Sequence, residues 1–320
     1  MAAARSRHRS EARLDLASAT GEPYSPSEEA YPPAQTQAIA AERPSENDVT
    51  GMATYIEQAA TQSHDGVHIF EFHGCRYVVK YRQSMRGARW RAYLSAALCG
   101  MLFGVFPSPS RLRAGTIHQE AQRLRALRAQ GWAVPEVYQL TADHLLFEYC
   151  GPTVEALLGQ LRGAQRNDLL LAAVDDLAEF HRSGHWHGGA QLRNLTMKQG
   201  HLYRIDFEEN TGAALPLPLA QAFDVLLAFN SMVDYLDGDR QFGARLLARY
   251  LSLVRSTPVL ESLRLLERWL RRISRLERWL GARLHRNRDL QRALIFASIL
   301  STVLDEDGAK APASISTYKR

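Results

Sequence analysis

Apolar and polar residues follow a two-residue period early in the chain and a helical period later. Between residues 67 and 81 they alternate on either side of a His-Gly pair, which predicts a β-hairpin. Residues 116–129 have helical spacing. Two further apolar runs, 134–140 and 144–150, are short enough to form strands. We therefore expect the first half of the chain to be rich in β-structure.

The second half is predominantly helical. Residues 167–180 form an amphipathic pattern, 201–207 resemble a short strand, and nearly everything from Leu219 onward has helical character. Within residues 261–294, apolar residues recur every three or four positions, which predicts one buried helix face. These residues are Leu263, Leu266, Leu270, Ile273, Leu276, Leu280 and Leu284. The pattern as a whole predicts an α+β fold with two lobes.

The arginines around this stripe, together with Trp269 and Trp279, allow two interpretations. They form either a solvated basic face or a surface for phosphorylated lipid, sugar or nucleic acid. The sequence leaves these alternatives open. Nucleic acid is the least favoured partner, because no motif beyond charge supports it.

Composition divides the chain into four parts. Residues 1–51 contain mainly Ala, Ser, Pro, Glu and Arg without apolar periodicity, so we expect a disordered tail. We expect a smaller lobe in 52–150, a larger lobe in 151–309, and a disordered C-terminus in 310–320. The smaller lobe contains an insertion, 82–115.

The insertion joins an arginine-rich segment to residues 94–106, which carry no charge. Thirteen residues are too few to cross a bilayer as a helix. We favour a buried helix here over a patch at a membrane interface.

The overall composition is that of a soluble globular protein, with 46% hydrophobic and 23% charged residues among 320. Three cysteines, Cys75, Cys99 and Cys150, are too few and too scattered for a disulfide framework or a four-ligand zinc site. Because no secretory signal opens the chain, we expect a cytoplasmic protein, with peripheral contact at an anionic membrane face as an open alternative.

Lysine is rare in this chain. Only four of the 39 basic residues are lysines: Lys80, Lys198, Lys310 and Lys319. Lys310 and Lys319 lie near the C-terminus. Since lysine and arginine differ in geometry and hydration, Lys80, inside a predicted strand, is a candidate for a specific role.

The densest group of chemically active residues lies between residues 181 and 210. His181, His185 and His187 are close enough in sequence to suggest a metal site, but Gly184 breaks the helix between them and no cysteine or spaced carboxylate completes the set. The alternative is a site for transfer of a nucleotide phosphate.

His187 and Asn194 have the seven-residue spacing of a kinase catalytic loop, and Asp206-Phe207-Glu208 follows a strand as the metal-binding Asp-Phe-Gly segment does. The sequence here resembles the protein-kinase-like superfamily, especially small atypical bacterial kinases such as lipopolysaccharide kinases. The resemblance implies that Asn194 and Asp206 bind Mg²⁺ and that His187 packs beneath the loop.

Other positions match the same family in the same order, over residues 67–227. The resemblance implies that Lys80 binds the phosphates of ATP and that Glu120, in a predicted helix, forms an ion pair with it. It also implies that backbone groups of Glu148 and Cys150 bind the adenine, and that Asp224 anchors the catalytic loop.

Two features depart from the family. Residue 189, where the aspartate that accepts the acceptor's proton is expected, is Gly189, and Gln191 cannot replace it as a base. No Gly-x-Gly-x-x-Gly loop is present either. We therefore expect an ATP-dependent kinase for a hydroxyl acceptor, either an envelope sugar such as lipopolysaccharide or a protein Ser/Thr. The alternative is a pseudokinase that binds nucleotide and acts as a scaffold.

Overall fold

The computed structural model describes residues 43–62, 66–82, 96–97, 99–100, 104–105, 107–108, 115–208, 211–280 and 288–310. The smaller lobe contains helices α1 (Glu46–Gly51), α2 (Ala53–Gln62) and α3 (Ile117–Ala129), and strands β1 (Val67–Phe72), β2 (Cys75–Tyr81), β3 (Val137–Leu140) and β4 (His144–Glu148). The larger lobe contains α4 (Val154–Gln160), α5 (Gly163–Arg182), β5 (Leu195–Lys198), β6 (His201–Arg204), α6 (Thr211–Ala214), α7 (Leu217–Met232), α8 (Arg240–Val254), α9 (Thr257–Leu280) and α10 (Arg288–Lys310).

The strands of the smaller lobe form one antiparallel sheet in the order β1-β2-β4-β3. The predicted hairpin is present, with Val67 opposite Lys80 and Phe72 opposite Cys75. Its turn is the His-Gly pair, and both residues have positive φ, 50° at His73 and 77° at Gly74. Glycine has no steric penalty in this conformation, which the tightest hairpin turns require.

Helices pack on both faces of the sheet, and the alternation of side chains decides which residue faces which helix. Val78 packs with helix α3, whereas Tyr77 and Val79 pack with Met52 on the opposite face. Lys80, two residues after Val78, therefore lies on the same face of the sheet as helix α3. A polar residue is thus buried at the end of an apolar strand.

The expected tail needs correction at its C-terminal end. Helix α1 begins six residues before the expected boundary, with Ser45 as its N-cap and Asp48 completing a capping box. Met52 is fully buried in the smaller lobe. Residues 1–42 and 311–320 lie outside the described ranges.

The larger lobe has a helical core. Helix α5 packs on α8, and α9 and α10 pack on α7. Leu263, Leu266 and Leu270 of the predicted stripe are buried and Ile273 is half-buried. The side chains of Leu276, Trp279 and Leu280, and all of Leu284, lie outside what the structure describes. The chain therefore has the predicted α+β architecture, a small antiparallel sheet joined to a larger helical part.

Only parts of the insertion are described. Within residues 94–106, Ala96 and Cys99 are buried, and Cys99 belongs to the core of the larger lobe. Residues 83–95 lie outside the described ranges. No described helix contains a segment long and apolar enough to cross a membrane.

Candidate active site

Lys80 lies at the centre of a cluster of three carboxylates. Its Nζ is 2.8 Å from Glu120 Oε2, 2.8 Å from Asp206 Oδ1 and 3.1 Å from Glu208 Oε2. Glu120 comes from helix α3, and the other two follow strand β6 of the larger lobe. The expected contact between Lys80 and Glu120 is therefore present, and Asp206 is brought to the same point.

The cluster is electrostatically unbalanced. Burial alone would lower the pKa of Lys80, but the attraction of Glu120, Asp206 and Glu208 outweighs it and raises the pKa above its ordinary value. The lysine is therefore charged at neutral pH. When all three carboxylates are ionised, the cluster has an excess of negative charge. Asp206 is the most exposed member, with 38% of its side chain exposed, against 28% for Glu208 and 6% for Lys80.

The backbone at Asp206 is held in an unusual conformation. Its φ is 63°, in the left-handed region that residues other than glycine rarely adopt. The next residue explains how it is held: the Phe207 N–H donates to Glu120 Oε1 at 3.3 Å, and the Phe207 ring packs 4.4 Å from that of His187. Such strain persists only where neighbouring contacts impose it. Here those contacts direct the Asp206 carboxylate toward Lys80.

Asp224 anchors the segment expected to be the catalytic loop. It is fully buried on helix α7, and its Oδ2 accepts the His187 N–H at 2.5 Å while its Oδ1 accepts the Gly188 N–H at 2.7 Å. His181 contacts Oδ2 at 3.3 Å. Burial would raise the pKa of Asp224, but the hydrogen bond with His181 and the bond from His187 N–H lower it overall. An ionised carboxylate therefore fixes the loop backbone.

His187 has a structural role at this point. Its Nε2 lies 3.0 Å from the carbonyl oxygen of Ile205, and its Nδ1 accepts the Gly189 N–H at 3.1 Å. Burial lowers the pKa of His187 to about 3, so the ring is neutral and the Nε2–H donates to Ile205. The imidazole thus links the loop to the residue before Asp206.

Asn194 lies at the C-terminal end of the same loop. Its Nδ2 donates to the Gly189 carbonyl at 2.8 Å. Its backbone carbonyl accepts the Ile205 N–H at 3.0 Å. The side-chain amide nitrogen is therefore engaged by the loop, which leaves Oδ1 as the atom available to a ligand. Asn194 and Asp206 line the same cavity.

This cavity has a volume of about 310 Å³ and lies between the sheet and the larger lobe. Apolar side chains cover part of it, and the segment between Glu148 and Gly151 forms one edge. The Glu148 N–H is bonded to Glu136, whereas the Cys150 N–H has no acceptor among the described residues. The lining includes Val67, Ile69, Val78, Phe147, Thr196 and Ile205.

Two contacts hold this edge against the larger lobe. Gly151 has a φ of 86°, and a Cβ at this position would lie 1.9 Å from the carbonyl oxygen of Met197, so only glycine permits the approach. Lys198 Nζ lies 2.5 Å from Oε1 of the buried Glu148. The Glu148 side chain is therefore used to join the lobes.

The three histidines considered as metal ligands have other partners. His181 contacts Tyr250 and Asp224, and His187 contacts Ile205. His185 stacks on Phe180. In the described ranges, the residue group suited to a cation is instead Glu120, Asp206 and Glu208, whose oxygens lie within 4.8 Å of one another.

Two residues of the site, Lys198 and Arg123, have no role predicted from the sequence. Glu208 is predicted only as the third residue of the Asp-Phe-Gly-like segment and as an alternative base. A signal for Arg123 exists, because it lies three positions after Glu120 and so shares its helix face.

Comparison with known proteins finds distant similarity to solved structures. No protein-family model matches the chain, and no curated protein matches it. The solved structure of choline kinase LicA from Streptococcus pneumoniae is similar over 79% of this chain and 99% of that chain, with 12% identity and a TM-score of 0.34. Aminoglycoside phosphotransferase APH(3'')-Id from Streptomyces rimosus is similar over 79% and 98%, with 12% identity and a TM-score of 0.32.

At TM-scores of 0.34 and 0.32, the two structures carry no argument about family, substrate or residue roles. The chain itself provides a small antiparallel sheet, a larger helical part and the geometry of the cleft.

Proposed function

We propose that this chain is a phosphotransferase that binds ATP with Mg²⁺ in the cleft and transfers the terminal phosphoryl group to a hydroxyl. The observation that carries the proposal is the convergence of Lys80, Glu120 and Asp206 from three separate parts of the chain. A buried lysine fixed by a buried glutamate, beside an accessible aspartate, is the arrangement that phosphoryl transfer uses to neutralise phosphate charge.

The residues present suit a magnesium ion. Asp206 and the Oδ1 atom of Asn194 are hard oxygen ligands, and Glu208 adds a further carboxylate to the same cavity. The excess negative charge around Lys80 would repel a nucleotide that arrived without a cation. When bound, the cation supplies charge neutralisation and orientation of the phosphates.

The remaining groups act by position and charge. Lys80 donates to phosphate oxygens, and the Cys150 N–H donates to the adenine edge. Asp224 and His187 hold the loop that carries Asn194. In the transfer, the bond from the terminal phosphorus to ADP breaks and a bond to the acceptor oxygen forms. The hydroxyl proton passes to Glu208 or to solvent.

Binding of ATP with and without Mg²⁺ tests this function. Isothermal titration calorimetry on wild type should give a dissociation constant that weakens at least tenfold when Mg²⁺ is chelated. Asp206→Asn should bind weakly in both conditions, and the exposed Asp143→Asn should behave as wild type. Equal binding with and without Mg²⁺ would contradict the proposal.

The acceptor is a hydroxyl compound, and the two classes inferred from the sequence are an envelope sugar and a protein Ser/Thr. Transfer from radiolabelled ATP to lipopolysaccharide and to casein separates them. Label on neither, with ATP still bound, would favour the second candidate function.

That second candidate is a pseudokinase, a nucleotide-binding scaffold without transfer. Gly189 favours it, because glycine offers no carboxylate to orient a hydroxyl. The φ of Gly189 is not positive, unlike that of Gly188 at 97°, so an L side chain at residue 189 would carry no left-handed backbone strain. We expect Gly189→Asp to accelerate ATP consumption by ~10²–10⁴-fold, the usual contribution of a general base. Fast wild-type turnover that Gly189→Asp abolishes would rule out this role for residue 189.

A further inference from the structure

Arg123 extends from helix α3 of the smaller lobe to the loop of the larger lobe. Its Nη1 donates to the His187 carbonyl at 3.1 Å, and its Nη2 donates to the carbonyl of Trp186. The guanidinium carbon lies 3.7 Å from the centre of the Trp186 ring and 4.8 Å from that of Phe207. One side chain thus contacts both the loop and the segment after Asp206.

These contacts complement those of Asp224. The carboxylate of Asp224 accepts the N–H groups of His187 and Gly188, while Arg123 donates to the carbonyls of Trp186 and His187. The same short stretch of backbone is therefore held by an anion from the larger lobe and by a cation from the smaller lobe. Asp224 alone would fix the loop within its own lobe. The hydrogen bonds from Arg123 connect the loop to helix α3.

Glu120 and Arg123 share one face of helix α3, because residues three positions apart are neighbours on a helix. Glu120 bonds Lys80 and the Phe207 N–H, and Arg123 bonds the loop. We propose that Arg123 is a positioning residue that couples helix α3 to the loop and so keeps Glu120 on Lys80. The proposal deepens the phosphotransferase function proposed above and rests on it for its catalytic meaning.

Arginine is the residue type that suits this task. Its planar guanidinium donates to two carbonyls at once and stacks on an aromatic ring. The ammonium of lysine can donate hydrogen bonds but has no plane that stacks on the ring. Burial lowers the pKa of Arg123 to about 10, so the group remains charged at neutral pH. Arg123→Lys should therefore keep only part of the connection between helix α3 and the loop.

The scarcity of lysine provides a direct assay. Acetylation by a soluble N-hydroxysuccinimide ester, followed by mass spectrometry, reports each of the four lysines separately. In wild type, Lys80 should react slowly because it is buried and paired. Arg123→Met should accelerate its labelling at least tenfold, with Arg123→Lys between the two. Arg125→Met, an exposed arginine on the same helix, is the matched control and should not differ from wild type.

The labelling rate of Lys198 distinguishes a local change at Lys80 from a general loosening of the fold. It is paired with Glu148, which Arg128 of helix α3 also contacts, so its labelling should change much less than that of Lys80 in Arg123→Met. Unchanged labelling of Lys80 in the folded variants, or equal acceleration at Lys198, would overturn the proposal. If Arg123→Met does not fold, the labelling of Lys80 and Lys198 in Arg123→Lys, compared with wild type, decides instead.

Nucleotide binding then links this residue to function. The dissociation constant for ATP with Mg²⁺ should rise about tenfold in Arg123→Met and stay constant in Arg125→Met. Wild type that binds no nucleotide would contradict the phosphotransferase proposal, while the labelling result, which needs no nucleotide, would still decide the role of Arg123.

Discussion

Replacement of Asp224 by asparagine tests whether one buried carboxylate holds the loop. Asparagine has the same shape, but one of its two oxygen positions becomes an N–H₂ group. Whichever way the amide turns, either the His187 N–H or the Gly188 N–H then faces a donor. Both N–H groups now lie within 2.7 Å of a carboxylate oxygen.

The magnitude follows from these bonds. A hydrogen bond to a charged group contributes about 1.5–3 kcal/mol, and a buried donor left without an acceptor costs about 1–3 kcal/mol. Since Asp224 is fully buried, solvent cannot replace the lost partner. We expect Asp224→Asn to lower the free energy of unfolding by about 2–4 kcal/mol. Total stabilities of about 5–15 kcal/mol would leave the variant folded.

Urea denaturation followed by circular dichroism and by tryptophan fluorescence measures this loss. Coincident transitions are needed for the two-state analysis. Asp168→Asn, an exposed aspartate on helix α5, is the control, and we expect it to stay within about 0.5 kcal/mol of wild type. A loss below about 1 kcal/mol for Asp224→Asn would refute the assignment of Asp224 as the anchor.

Three further outcomes can be measured on the same protein. Lys80→Met should cost about 3–5 kcal/mol because Glu120 stays buried without its partner, and adding Glu120→Gln should recover part of it in a double-mutant cycle. The pKa of His187, about 3 in the fold against 6.5 when exposed, means that unfolding takes up a proton below pH 6.5. The free energy of unfolding should therefore decrease as the pH is lowered below 6.5, by roughly 2 kcal/mol at pH 5 from this ring. A smaller pH dependence in His187→Gln checks this. Deleting residues 1–51 removes helix α1 and should lower the melting temperature, whereas deleting residues 1–42 should not.

The local pattern of the chain determined much of the fold. Alternation around His73-Gly74 predicted the hairpin, and helical spacing predicted helix α3 and the buried stripe of α9. Lys80 and Glu120 could be paired in advance because the kinase-like order of motifs relates distant positions. These features depend on residues close in sequence, or on a resemblance that already contains the long-range arrangement.

The tertiary structure decided the rest. Glu208 joins Lys80 because the backbone turns at Asp206, and no local pattern predicts a positive φ there. Arg123 is one of three arginines on helix α3, and it becomes distinct only because Trp186 and His187 lie opposite it. Such contacts join residues more than sixty positions apart. They depend on how the two lobes meet, which the periodicity of a single segment does not contain.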